Sequence, residues 1–357
     1  MKIKKRMSTI TIKIPFTQRA LNIKNIVFSF ILLSLIFSVQ LPAQSTTYAH
    51  DPVMIKQNNT YYVFCTGFGI TVLSSTDMKS WKTEKTVFAK GPQWAIDSIP
   101  GFKGHIWAPD ISKHNGEYYL YYSVSAFGKN TSCIGLATNK TLDPKSPDFK
   151  WIDHGKVIQS IPGVTNWNAI DPNLIVDEKR TPYLSFGSFW DGIKLVKLSS
   201  DAKSVDEDIR FIPTIASRKK DSGMPNPPSI GNNPVDAGGN SIEAPFIFKK
   251  QKYYYLFASI DYCCQGMNST YKMIVGRSKK VTGPYIDQAG VPMSKGGGTI
   301  VLQGDKDWYA VGHNAVVSFS GKDYIVYHGY DVHDDGKPKL RINKLNWTKT
   351  GWPIVIK

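Results

Sequence analysis

Cysteine is scarce in this chain of 357 residues, which carries only four, and none of them stands at metal-ligand spacing, so a thiolate zinc site is not expected. Helical periodicity is missing too. Outside an N-terminal apolar run no segment repeats apolar residues every 3.6 positions, which leaves an all-β chain. A membrane-spanning stretch is also lacking: the uncharged run Ile26 to Leu41 has sixteen residues, short of the roughly 20 that cross a bilayer. Nor is there a basic stripe for nucleic acid, since Lys and Arg beyond that run are scattered among acids and turns.

The N-terminal run has a different use. Lys2, Lys4, Lys5, Arg6, Lys13, Arg19 and Lys24 precede it, and Leu41-Pro42-Ala43-Gln44-Ser45 closes it, the pattern of a secretory signal cut near Ala43. Residues 1–43 are therefore expected to be removed and 44–357 to form a single domain, secreted or periplasmic, with no stable membrane insertion. The formal charge of +16 overstates the mature protein. Seven of the 44 basic groups and none of the 28 acidic ones lie before residue 44, leaving +9. Export makes thiol oxidation feasible. Cys65 and Cys133 lie in apolar strand-like runs and read as core residues. Cys263 and Cys264 are adjacent, so a bond between them would close a tight ring with a Cα spacing below that of ordinary disulfides, and their redox state stays open.

What the chain has in quantity is aromatic strands. Five times a polar or acidic residue, usually before proline, is followed by a short apolar strand, a turn and an aromatic run: Tyr61 to Phe64, Tyr118 to Tyr122, Tyr183 to Phe186, Tyr253 to Phe257 and Tyr324 to His328. Gly, Asn, Asp and Pro punctuate the runs. Five such groups predict a five-bladed β-propeller around a central channel, an arrangement with few exposed sheet edges; a β-sandwich with long loops is the alternative. Asp201 to Asn240, rich in Lys, Gly, Pro and Asn, reads as a long loop between the third and fourth blades, and the fifth blade is expected to open at Gly312-His313-Asn314.

Three acids head strand groups: Asp51 in Ala-His-Asp-Pro, Asp171 in Ala-Ile-Asp-Pro-Asn and Glu243 in Ser-Ile-Glu-Ala-Pro-Phe. An aspartate before proline is also an ordinary turn residue. A glutamate in an apolar setting is harder to dismiss, because burying it without a partner is costly. Carboxylates gathered in one space spread their pKa values, which a separate acid and base require. Asp110 also precedes a strand and reads as a structural hydrogen-bonder.

At this point the chain resembles glycoside hydrolase family 43, and within it the endo-1,5-α-L-arabinanases. The resemblance runs from about His50 to the C-terminus. It rests on His50-Asp51-Pro52, His105 to Asp110, Asn168 to Pro172, Gly187 to Ile193, Ser241 to Pro245, the stretch from Cys263-Cys264 to Pro284-Tyr285, and Gly312-His313-Asn314, in that order. The family's fold is a five-bladed propeller. The resemblance implies Asp51 as general base, Glu243 as general acid and Asp171 as the residue that positions the acid and raises its pKa, acting with inversion. It further implies His313 as a ligand, largely through water, of a metal usually described as calcium, though a lone His more often makes a structural hydrogen bond and calcium prefers oxygen. His328 reads as structural. Trp107 and Phe127 match sugar-stacking positions, with Trp190 a further candidate, and Asn168 and Ser188 match hydroxyl-binding ones.

The expectation is therefore a monomer that hydrolyses internal α-1,5 bonds of arabinan, the side chain of pectin, without an organic cofactor. Exo-acting arabinofuranosidases and β-xylosidases share the trio, but often carry a β-sandwich after the propeller, for which no stretch follows the fifth blade here. A glycan-binding propeller without turnover is the rival from another class.

Overall fold

Each aromatic run pairs antiparallel with the apolar strand before it, and because the run is buried at nearly every position, neighbouring blades must cover both its faces. The computed structural model describes residues 46–218 and 239–357; the expected signal segment, 1–43, lies outside them. The five blades are antiparallel meanders. Their innermost strands are Val53–Gln57, His105–His114, Asn173–Val176, Ile242–Lys250 and Trp308–Phe319. Each lies beside the next, and the fifth returns to the first, which closes the ring. Closure is reinforced where the N–H of Leu340, in the fifth blade, donates to Thr47 O and that of Ala49 to Pro338 O.

The two-residue period of a strand explains the aromatic runs. In Glu117–Val124, Tyr118, Leu120 and Tyr122 join the core between blades one and two, whereas Tyr119 and Tyr121 join the core between blades two and three. Likewise Tyr254, Leu256 and Ala258 face the third blade's side, and Tyr255 and Phe257 the fifth's. Met54, Val63 and Leu73 pack with Val326 and Leu340 to seal the fifth blade on the first. Cys65 and Cys133 are both buried in these cores.

Several boundaries differ from the sequence reading. A six-residue helix, Gln93–Ser98, interrupts the all-β pattern, too short for periodicity to register. Blade two gains a fifth strand from Gly67–Phe68, which pairs with Ile106 and His105. The loop expected over 201–240 contains the fourth strand of blade three, Thr214–Ala216, hidden because three residues carry no alternation; residues 219–238 lie outside the described part. The fifth blade opens at Trp308 rather than Gly312, because a bulge between Gly312 and Ala315 separates two parts of one strand.

Candidate active site

One backbone device, repeated in every blade, places the site. At the head of each inner strand one residue is left-handed: Asp51 (φ 52°), Ala108 (41°), Asp171 (57°), Ala244 (54°) and His313 (53°). Four of the five precede proline, which bars the right-handed helical region to them and brings no N–H to the ladder. The ladder slips by one residue there, in blades two, four and five within the paired strands. Left-handed backbone costs a non-glycine residue roughly 1–2 kcal/mol. The neighbouring blade helps to offset that cost by accepting each N–H: Ala108 donates to Thr66 Oγ1 (2.8 Å), Asp171 to Ser123 Oγ (3.0 Å), His313 to Ser259 Oγ (2.8 Å) and Asp51 to His328 Nδ1 (3.1 Å). Thr66, Ser123, Ser259 and His328 stand at the same place, where the aromatic strand ends. In blade three that place is Gly187, which has no side chain, and the N–H of Ala244 donates instead to Asp171 Oδ2 (3.0 Å). The repeat is broken where Asp171 is drawn against the Glu243 segment.

Asp51, Asp171 and Glu243 are 7, 6 and 9% exposed, so each must be held by partners. Asp51 Oδ2 accepts from Thr66 Oγ1 (2.6 Å) and lies 2.9 Å from His50 Nδ1, while Oδ1 lies 3.0 Å from His313 Nδ1. Burial alone would raise its pKa, but His313 and His50 outweigh it and hold the carboxyl well below the usual range. Glu243 is held by neutral groups: Ser188 Oγ donates to Oε2 and Tyr271 Oη to Oε1, both at 2.7 Å. Burial, with the charges of Glu243 and Asp51 adding and His313 opposing, pushes Asp171 up to about 8. For His313 burial disfavours the charge, yet Asp51, Asp171 and Glu243 outweigh it and raise the imidazole to about 9. His328 goes the other way: burial and His50 keep it well below its ordinary value, against the pull of Asp51. It is neutral, and because Nδ1 accepts the Asp51 N–H, its proton is on Nε2.

The remaining sequence candidates fall in different surroundings. Phe127 is 80% exposed on the loop after Glu117–Val124, a ring with an open face. Trp107 is half-buried and donates from Nε1 to His105 Nδ1 (3.0 Å). Trp190 is buried, so it offers a sugar little surface. Asn168 is buried, and its Oδ1 is enclosed without a hydrogen-bond partner, so it presents no open acceptor to a sugar. Ser188, read as a hydroxyl-binding residue, spends its own hydroxyl on Glu243. Asp110 is structural as read: Oδ2 accepts the N–H of Leu174 (2.9 Å) and Oδ1 that of Asn173 Nδ2 (3.2 Å), tying blade two to blade three.

Thr66, Tyr271, Ser123 and Ser259 were missed. A polar residue closing each aromatic run is a signal for three of them; Tyr271 lies in an irregular loop and has none. His313 has Nδ1 on Asp51, so only Nε2 of the neutral ring remains for a metal, and among the described residues the one cluster of three donor groups is His50, Asp51 and His328. His328 Nδ1 in that cluster already accepts the Asp51 N–H. These groups do not make the oxygen cage calcium prefers; they fit a cation that keeps most of its water.

Comparison with known proteins agrees with this fold. The model of "Glycosyl hydrolases family 43" matches residues 44–353. An extracellular exo-α-(1→5)-L-arabinofuranosidase of Cellvibrio japonicus is 48% identical over 306 residues, 86% of each chain. An extracellular endo-α-(1→5)-L-arabinanase of Bacillus subtilis is 42% identical, covering 89% of this chain and 93% of that one. Among solved structures, α-L-arabinanase of Cellvibrio cellulosa complexed with arabinohexaose superposes with a TM-score of 0.81 at 47% identity, covering 88% of this chain and 96% of that one.

Proposed function

Because this chain belongs to the glycosyl hydrolases of family 43, we propose that it cleaves internal α-1,5 bonds of arabinan with inversion, Asp51 acting as general base and Glu243 as general acid. The observation that carries this reading is the unlike handling of two buried carboxyls. Asp51, between two imidazoles and a hydroxyl, is kept ionised and suited to take a proton from water. Glu243 meets neutral hydroxyls, Ser188 on Oε2 and Tyr271 on Oε1, and is assigned the delivery of a proton to the departing sugar oxygen. Asp171 orients that arm through the Ala244 N–H, and its raised pKa keeps a proton within the pair near neutrality. Proton NMR early in hydrolysis should show the β-anomer first; the α-anomer first would exclude inversion.

Endo attack is supported by exposed rings on two different blades, at the strand ends where the acids also stand. Phe127 stands on blade two, and Tyr262, 46% exposed, on blade four beside Phe189 of blade three. A polymer could rest on both rings. The exo reading is favoured by the 48% identical exo-acting relative. Early products from linear arabinan decide: a spread of oligosaccharides with a fast fall in viscosity supports endo attack, and one short product with viscosity nearly unchanged moves the assignment to exo.

His313 is proposed to hold a hydrated calcium ion near the acids, where the cation would supply fixed positive charge. Elemental analysis that finds no metal, together with an unchanged rate for His313→Ala, would remove this role. The extracellular names of two relatives support a secreted protein, and the same proposal takes it to act as a monomer. Sedimentation of the purified protein and its recovery from culture medium test both points.

A further inference from the structure

The Cys263–Cys264 pair is bridged, and it sits at the head of blade four, in the loop between Tyr253–Ile260 and Lys272–Ser278. Cys263 packs on Tyr271, Ala310 and Tyr330. Cys264 is exposed, and its Sγ lies 3.8 Å from His50 Nε2. Its backbone N–H donates to Tyr330 Oη at 2.8 Å; Tyr330 Oη lies 3.1 Å from the same His50 Nε2; His50 Nδ1 lies 2.9 Å from Asp51 Oδ2. The direction of this chain is set from its two ends: the Cys264 amide can only donate and the ionised Asp51 carboxylate can only accept, so His50 Nδ1 carries a proton and Tyr330 Oη, taking the Cys264 N–H, turns its own proton to His50 Nε2. That nitrogen then accepts, the ring's proton is on Nδ1, and Nδ1–H donates to Asp51. The His50 ring is further clamped by stacking on His328, with centroids 4.2 Å apart.

We propose that the vicinal Cys263–Cys264 bridge is a positioning element for Asp51, fixing through Tyr330 the tautomer and orientation of His50. The inference rests on Asp51 being the general base. Its physical basis is the backbone of Cys264, which is left-handed (φ 65°), a conformation that a residue with a Cβ leaves when nothing holds it. The bridge closes a ring through the 263–264 peptide and removes the freedom of both residues to relax, so the amide stays aimed at Tyr330. Reduction by a dithiol transfers two electrons and two protons to the bridge, giving two thiols while the reductant closes to its own disulfide. The S–S bond breaks, Cys264 is free to leave the left-handed region, and the first link of the chain is lost.

The test compares oxidised and dithiol-treated full-length protein on linear arabinan, with exposed thiols counted under native conditions; Cys65 and Cys133 are buried and stay silent. Opening the bridge should lower kcat about tenfold, the scale of one lost directed hydrogen bond, with KM within about twofold, and reoxidation should restore it. Tyr330→Phe should show the same loss and no further response to reductant, since both act on one chain. A folded Cys263→Ser/Cys264→Ser variant should be slow and indifferent to reductant. The proposal fails if two thiols are counted while kcat is unchanged, or if the effects of reduction and Tyr330→Phe multiply. If the oxidised protein turns over no arabinan, the arabinanase reading falls, and nitrogen NMR of His50 decides the inference. An Nδ1–H tautomer that becomes mixed on reduction supports it, and one that does not change overturns it.

Discussion

The proposed base and the proposed acid both stand beside a left-handed residue at the head of an inner strand, yet their surroundings are opposite in electrostatic character. In blade one the functional carboxylate is the left-handed residue itself, and imidazoles from its own strand head and from blade five surround it. In blade four the left-handed residue is Ala244; Glu243 precedes it and is met by two hydroxyls. Shifting a side chain by one position across a bulge turns it to another wall of the channel. On the proposed assignment, one repeated strand head thereby carries two different roles.

The sharpest way to break this comparison is to remove each carboxyl in turn. Asp51→Ala and Glu243→Ala should each lower kcat on linear arabinan by about 10²–10⁴-fold. Only Glu243→Ala should retain substantially more activity on an aryl arabinoside, whose leaving group needs little protonation. Equal losses by both variants on both substrates would make the two arms equivalent and the assignment wrong.

A smaller effect is expected from the support of the acid arm. Gly312 is required by Tyr271: a Cβ there would lie 2.0 Å from Tyr271 Cδ1, within the ring. Gly312→Ala should displace the ring, lower activity about 10- to 100-fold and destabilise the fold by about 1–3 kcal/mol. Tyr271→Phe keeps the ring and drops the hydroxyl, so it should cost about tenfold in kcat with a smaller change in Tm. Wild-type turnover by Gly312→Ala would show that the Tyr271 hydroxyl does nothing for Glu243.

The mildest test uses a carboxylate outside the chemistry. Burial pushes Asp110 up to about 6 from an ordinary 3.8, with its hydrogen bonds from Leu174 and Asn173 opposing. The folded state therefore binds a proton more tightly than the unfolded one. Stability from this group is full below about pH 4 and is lost as pH rises through about 6, by an order of 2–3 kcal/mol. Asp51, with its pKa depressed, contributes in the opposite sense, stabilising above its unfolded value and losing that as pH falls. Denaturant melts between pH 4 and 7 should show a shallower fall in stability for Asp110→Asn than for wild type; parallel curves would mean Asp110 is ionised throughout.

The five blades could be read in the amino-acid order because a strand covered on both faces must be apolar or aromatic at every position, and such runs recur five times from Tyr61 to His328. The three acids were legible for a related reason, each standing one or two residues before a proline at a strand head. The short strand Thr214–Ala216 was not legible, since its pairing with Ile193 and Lys194 exists only across the blade. Nor was the true work of Ser188, whose hydroxyl meets Glu243 fifty-five positions away, or of Tyr271, which reaches the acid through space left open by Gly312.

Composition and pattern along the chain were thus enough to establish an all-β propeller and to nominate Asp51, Asp171 and Glu243, because periodicity, turn chemistry and the cost of burying a carboxyl act over a few neighbouring residues. Which carboxyl stays ionised depended on ring closure, because that alone brings His313 of the fifth blade to within 3.0 Å of Asp51 in the first, and the Coulomb interaction that sets a pKa depends on separation in space rather than along the chain.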